Sequence, residues 1–295
     1  MSWLETYRGT VYRWEVDNVD HFTVAFYFAR FEDATLAMLH AFGIDPGALD
    51  EAGTAFATLG CHVRYLRELR VGDVFHVESG VWDVGDDQLG LVHRVFDSSD
   101  GALCTTVEQR AAMVRVRDRA PVGLPAAVRA AAERAKVEWT PAPEPEPAPF
   151  QGDGFRDTAR DAIKPSEVDT QGFAAFPAYV HRFSAAIAQI LAAFGVSPAW
   201  LTETQRGFST FEFRLGFSGA LRSGDLVRVE SALLQMGNTS MRFLHRLTDL
   251  RTGVEAARLE QAGVLLDLKA RKAVPMAPEM RERAMSMLAR PAATR

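Results

Sequence analysis

The chain has 295 residues, 47% of them hydrophobic and 24% charged, which is the composition of a folded protein with room for one large domain or two ordinary ones. A formal net charge of −5 argues against a general nucleic-acid binder, because such proteins neutralise phosphates with a basic face. Two cysteines, Cys61 and Cys104, are too few for a disulfide framework, and no CxxC or Cys/His cluster offers a metal site.

At the N-terminus, MSWLETYRGT lacks the apolar stretch of a signal peptide. No apolar run approaches the roughly 18 residues needed to cross a bilayer. The expectation is a cytoplasmic protein with no membrane partner. The next segment, EVDNVDHFTVAFYFARF (15–31), sets Glu15, Asp17, Asp20 and His21 in front of a long helix predicted from about Ala25 to Phe42. That helix is apolar nearly all round, so other structure has to wrap it, and Gly43 suits its left-handed C-terminal cap. Downstream, CHVRYLREL, DVFHVESGVW, QLGLVHRVF and ALCTTVEQRAAMVRV are rich in β-branched and aromatic residues, with turn signals such as GDD and DSSDG between them. They predict an antiparallel meander, followed by a terminal helix.

The same order then repeats. EVD at 15–17 recurs at 167–169, so that Asp169 lies 152 residues after Asp17. The same offset carries AFG at 41–43, Gly72-Asp73, His93-Arg94, Gly101 and Glu108-Gln109 onto their counterparts without a gap. Two copies of one domain are therefore expected, residues 1–138 and 153–295, superposing over 9–136 and 161–289. The Pro-rich stretch WTPAPEPEPAPFQG (139–152) reads as an extended linker between them. Pro177 aligns with Ala25, and proline favours the first helical position, which places the second long helix near 177–194 and makes residues 18–24 the loop leading into the first. The fold class is α+β.

Two short motifs carry a resemblance. DTQGFAAFPAY (169–179) resembles the signature of the 4-hydroxybenzoyl-CoA thioesterase family of hotdog folds, through Asp169, Gly172, Pro177 and Tyr179. DNVDHFTVAFY (17–27) is similar to another branch of that superfamily through Asp17, His21 and Tyr27, with Asp20 in place of the usual glycine and Phe173 replacing the histidine in the second copy. HVRYLRELRVGD and FRLGFSGALRSGD resemble the strand that follows the helix in these folds. The resemblance implies two tandem hotdog domains, each a long central helix wrapped by an antiparallel β-sheet, with the two sheets joined. It also implies an acyl-CoA thioesterase that needs no cofactor or metal, coenzyme A being part of the substrate. An acyl-carrier-protein thioesterase and a non-catalytic acyl-thioester binding protein are the alternatives. The fused pair is expected as a monomeric pseudo-dimer or a homodimer of it.

Thioester hydrolysis needs a base or nucleophile beside the carbonyl and donors for the oxyanion, and the amides at a helix N-terminus supply such donors. Asp17 and Asp169 are the candidate carboxylates; equally, they can satisfy loop or cap amides. Asp169 keeps the fuller motif, and the reading leans to it, whereas Asp17 has the polar company of His21 and Thr23. His21 either polarises substrate or is structural, and Asp20 takes the left-handed conformation expected of Gly172. Glu108 and Glu260 interrupt apolar strands, facing either the site or outward. Thr23, Tyr27, Phe176, Tyr179 and Arg64 are candidate substrate contacts, Arg64 with Arg67 and Arg70 toward coenzyme A phosphates or simply toward solvent. No GxSxG elbow or activated cysteine offers another nucleophile.

Overall fold

The computed structural model describes residues 3–143 and 154–289. The chain divides into two compact units, residues 1–142 and 143–295. In the first, β1 (Leu4–Thr10) leads through a 3-10 turn at Arg13–Glu15 into α1 (Val24–Ala41). There follow α2 (Pro46–Glu51), β2 (Thr54–Tyr65), β3 (Val74–Val84), β4 (Gln88–Asp97), β5 (Leu103–Arg115) and α3 (Ala126–Arg134). The strands pair antiparallel in the order β1-β3-β4-β5-β2.

The apolar residues of α1 bury one side of it. Ala25, Phe28, Phe31, Thr35, Met38 and Leu39 are covered, at the three- and four-residue spacing that stacks side chains on one helical face. Met38, Leu39 and Phe42 pack on Val81, Leu89, Leu91 and Met113 of the sheet. Asp33, Leu36 and His40 stand exposed, so the helix is covered on one face rather than all round. Its end is the predicted one. Gly43 takes φ +79°, its amide donates to His40 O, and the Ile44 amide reaches back to Leu39 O at 2.9 Å, the paired bonds that close a helix on a left-handed residue.

The second unit repeats this at the 152-residue offset. Its elements are β6 (Arg156–Ala162), a 3-10 turn at Pro165–Glu167, α4 (Phe176–Ala193), α5 (Pro198–Thr204), β7 (Arg206–Phe217), β8 (Leu226–Met236), β9 (Ser240–Asp249), β10 (Glu255–Asp267), β11 (Lys272–Val274) and α6 (Pro278–Ser286). The order of its sheet is β7-β10-β9-β8-β6, with β11 beside the end of β10. Both long helices start one residue before the expected position, so Pro177 sits second in α4 rather than first. The short helices α2 and α5 were not anticipated, although Asp45-Pro46 and Ser197-Pro198 carry their signal: a side-chain cap on the first-turn amides with proline behind it. Of the predicted linker, residues 144–152 lie outside the described residues. Trp139 packs edge-on against Trp3 at 6.2 Å and belongs to the first unit.

Candidate functional site

The loop leading into each long helix is closed by its aspartate. Asp17 Oδ1 accepts from the amides of Val19 and His21 at 2.9 and 3.0 Å, while the Asp17 amide donates to His21 O at 2.9 Å. Asp20 takes φ +64° within this turn. In the second unit Asp169 Oδ1 accepts from Gln171 and Phe173, both at 2.9 Å, and Gly172 takes φ +78°. Both aspartates therefore fasten their loops through one carboxylate oxygen. Both are exposed, and among the described residues no donor reaches Oδ2 of either. Each loop is further tied to the connection between the next two strands, by Phe22 N to Leu69 O at 2.7 Å and by Ala174 N to Leu221 O at 2.8 Å.

The acidic residue two positions earlier has a different task. Glu15 is buried and ion-paired with Arg30 of α1, and its second oxygen accepts from the Tyr12 amide at 2.9 Å. In the second unit Arg182, 3% exposed, donates to Glu167 at 2.9 and 3.0 Å and to the carbonyls of Ala178 and Ala162. These pairs lock the 3-10 turn onto the helix beneath each loop. Neither arginine was singled out from the sequence; their shared offset was the available signal.

The two loops differ in the chemistry they present. In the first, His21 Nε2 lies 2.6 Å from Glu68 Oε2, and Arg70 holds Glu68 Oε1 at 2.6 Å. In the second, Phe173 stands at the histidine position and Ala220 at the glutamate position, and Arg222 lies over the Phe173 ring at 4.2 Å. Thr23, the N-cap of α1, makes no side-chain cap bond, so the amides of Val24 and Ala25 keep the unpaired character of a first helical turn. In α4 the residue matching Ala25 is Pro177, which has no amide hydrogen to offer.

The remaining candidates fall elsewhere. Tyr27 and Tyr179 are core residues, 3% and 4% exposed, the former against Phe22 and Tyr65 and the latter against Phe217. Burial pushes the Tyr27 hydroxyl well above its ordinary pKa. Their aromatic rings complete the packing under the helix start. Phe176, half-buried, stacks on Phe217 at 5.4 Å. Arg64 is exposed on β2, whereas Arg67 is paired with Asp100 and Arg70 with Glu68. Glu108 accepts from the Trp139 indole at 3.1 Å and the Ala142 amide at 3.0 Å, with His62 at 3.5 Å. Burial pushes its pKa up, but these three neighbours outweigh it and the carboxyl stays below its ordinary value. Glu260 faces Arg242 at 3.6 Å. Burial drives the Cys61 thiol up to about 12, far from a thiolate.

A second polar feature lies inside each unit. Ser79 Oγ meets Thr6 Oγ1 at 2.6 Å and His93 Nδ1 at 2.7 Å, while His93 Nε2 faces Gln109 Oε1 at 3.1 Å. Gln109 in turn donates to Thr58 and accepts from Thr35. Thr158, Ser231, His245, Gln261 and Thr210 occupy the matching positions, but Ile187 replaces Thr35. Both histidines are fully buried, and burial lowers their pKa values to about 4 for His93 and about 3 for His245. Among the described residues, no group of three or more His, Cys, Asp or Glu is placed to hold a metal ion, and no single helix is long and apolar enough to cross a membrane.

These features define a two-repeat chain of antiparallel sheet and long helix, with a carboxylate loop at each helix start. Residues 11–132 and 163–284 each match the Thioesterase-like superfamily, and the chain belongs to that family. It is similar to the betainyl-CoA thioesterase of Pseudomonas aeruginosa, with 29% identity over 106 residues that cover 36% of this chain and 67% of that protein. It is also similar to the L-carnitine dehydrogenase/betainyl-CoA thioesterase of Rhizobium meliloti, with 29% identity over 115 residues, 39% of this chain. The match spans only 23% of the Rhizobium protein's length. Among solved structures, the 12:0-ACP thioesterase from Umbellularia californica superposes with a TM-score of 0.68 at 15% identity, covering 88% of this chain and 93% of that one. At that identity the likeness concerns the fold.

Proposed function

We propose that the chain hydrolyses an acyl-CoA thioester at the first lead-in loop. In this reading each repeat is one hotdog domain whose sheet curls about the buried side of its long helix. The observation that carries the assignment is the asymmetry of the loops. Only the first joins a carboxylate with an available oxygen, a histidine paired to a second carboxylate, and a first helical turn without proline. Asp17 takes a proton from water as the water oxygen bonds to the carbonyl carbon, or its carboxylate attacks that carbon directly. The amides of Val24 and Ala25 and the helix dipole favour the oxyanion. On either route the C–S bond then breaks and the leaving thiolate of coenzyme A takes up a proton; on the direct route the anhydride left on Asp17 is hydrolysed by water to the free acid and the carboxylate. Water is the only co-reactant. The second loop keeps Asp169 as a turn fastener, which reverses the lean of the motif comparison.

The names of the two relatives make betainyl-CoA the first thioester to assay, followed by short, long and aromatic acyl-CoAs and acyl-carrier-protein thioesters. Asp17→Asn keeps the Oδ1 acceptor of the turn and removes the charge. Its turnover is expected to fall by roughly a hundredfold or more, the scale of losing one general-base or covalent group. Asp169→Asn is expected to stay near the parent. A folded double mutant with full activity would show both aspartates to be turn fasteners alone. Binding without turnover in the parent would assign a non-catalytic acyl-thioester binder, and turnover of carrier-protein thioesters alone would assign that substrate class.

A further inference from the structure

Glu68 lies within HVRYLRELRVGD, where the sequence marks no role for it, yet it is the carboxylate that touches the ring of His21. It sits in the connection between β2 and β3, which is pinned by Leu66 N and Arg67 N to Cys104 O, by Arg70 N to Asp73 Oδ2, and by the fully buried Leu69. The second unit pins the same connection the same way, through Ser218 N and Gly219 N to Ala256 O and Arg222 N to Asp225 Oδ2. The two backbones thus make equivalent bonds, while the side chains His21, Glu68 and Arg70 become Phe173, Ala220 and Arg222. The other carboxylates of the first loop are engaged differently, Asp17 Oδ1 with two amides and Asp20 with Arg13 at 2.8 Å. A role confined to holding the loop down is met in the second unit by an arginine over a phenyl ring, with no ionisable pair.

We infer that Glu68 is a positioning residue that fixes the orientation and tautomer of the His21 imidazole for the thioester hydrolysis proposed above, on which this inference rests. A carboxylate at Nε2 keeps the proton of the neutral ring on that nitrogen and makes Nδ1 the accepting one. Arg70, on the far oxygen of Glu68, holds the carboxylate in place.

Two independent readouts test this in the full-length chain. Long-range proton–nitrogen correlation spectra at pH 8, with the His21 signals assigned by their loss in His21→Gln, are expected to show the Nε2-protonated tautomer in the parent and an averaged tautomer in Glu68→Ala. On the thioester that the parent hydrolyses, Glu68→Ala is expected to lower kcat by about tenfold to a hundredfold with KM little changed, the range for misplacing a reacting group. Glu68→Asp recovers part of this loss, and Glu68→Ala adds nothing to His21→Gln. The pair His21→Phe/Glu68→Ala copies the second unit and offers Arg70 a ring, so it is expected to keep the parental melting temperature while losing activity. An unchanged tautomer in Glu68→Ala, or an equal loss of kcat in the His21→Gln background, overturns the inference. If the parent turns over no thioester, the hydrolase reading fails, while the tautomer of His21 in Glu68→Ala still decides whether Glu68 positions it.

Discussion

Glu15 shows how little room a buried charge leaves. Its side chain is 3% exposed and its counter-ion Arg30 only 18% exposed, so the pair is shielded from water and from salt. Removing one partner of such a pair strands the other. Arg30→Ala is therefore expected to destabilise the fold by about 3–5 kcal/mol in urea denaturation. A loss below about 1 kcal/mol, the worth of an exposed pair, would mean that Glu15 finds water in the variant. The sequence displayed Glu15 inside its repeated motif but not its task, because the partner is fifteen positions away and only the helix brings it back. Asp17, His21 and Asp169 were legible because each sits at short spacing from the other residues of its own motif, and the constant offset pairs the two motifs. Glu68 was not, since its meaning comes from a strand connection folding against a loop 47 residues earlier.

At the scale of elements, the sheets carry a titratable group where no solvent reaches. Both His93 on β4 and His245 on β9 are neutral in the folded chain down to about pH 4 and about pH 3, whereas in the unfolded chain they take a proton near pH 6.5. The unfolded state thus binds more protons between those limits, and stability falls as the pH drops. The expected slope is about 1.4 kcal/mol per pH unit for each histidine, absent above about pH 7.5 and levelling once the folded histidines themselves protonate. Urea midpoints from pH 8 to pH 4 measure it. His93→Gln/His245→Gln should flatten the slope whatever it does to the midpoint, and an unaltered slope would place the titration elsewhere. Strands β3 to β5 were readable from β-branched and aromatic runs between turn signals, and the long helix from its apolar run and the Gly43 stop. That reading made the helix too thoroughly buried, because an apolar run does not show that one side, with Asp33, Leu36 and His40, is left outside the packing. The direction in which Glu108 faces on β5 was also open from the sequence, and the structure turns its neighbour Gln109 to His93.

Across the whole molecule, the offset of 152 residues holds for nearly every element, including the turns, and the sequence alone disclosed it. What it could not disclose was where the two copies part company: Thr35 against Ile187, Ala25 against Pro177, and Glu68 against Ala220 are ordinary substitutions until the folded neighbourhoods are compared. The matching register has a further consequence, for folding. The edge strand β1 meets β3 through Thr6 and Ser79, and β6 meets β8 through Thr158 and Ser231, each pair of hydroxyl oxygens 2.6 Å apart. An unfolded chain therefore contains two edge strands of equal length, LETYRGT and RDTARDA, which share the docking threonine and one arginine, and each fits the other copy's docking site in length. Exchange of like segments is a known hazard of fused repeats. Refolding from urea is expected to leave a fraction of chains in a compact, wrongly threaded form that recovers only on renewed unfolding, a fraction that Thr158→Val, by removing the hydroxyl the two edges share, should reduce. Complete refolding in a single phase, in parent and variant alike, would show that the chain tells its two edges apart by features other than this hydroxyl pair.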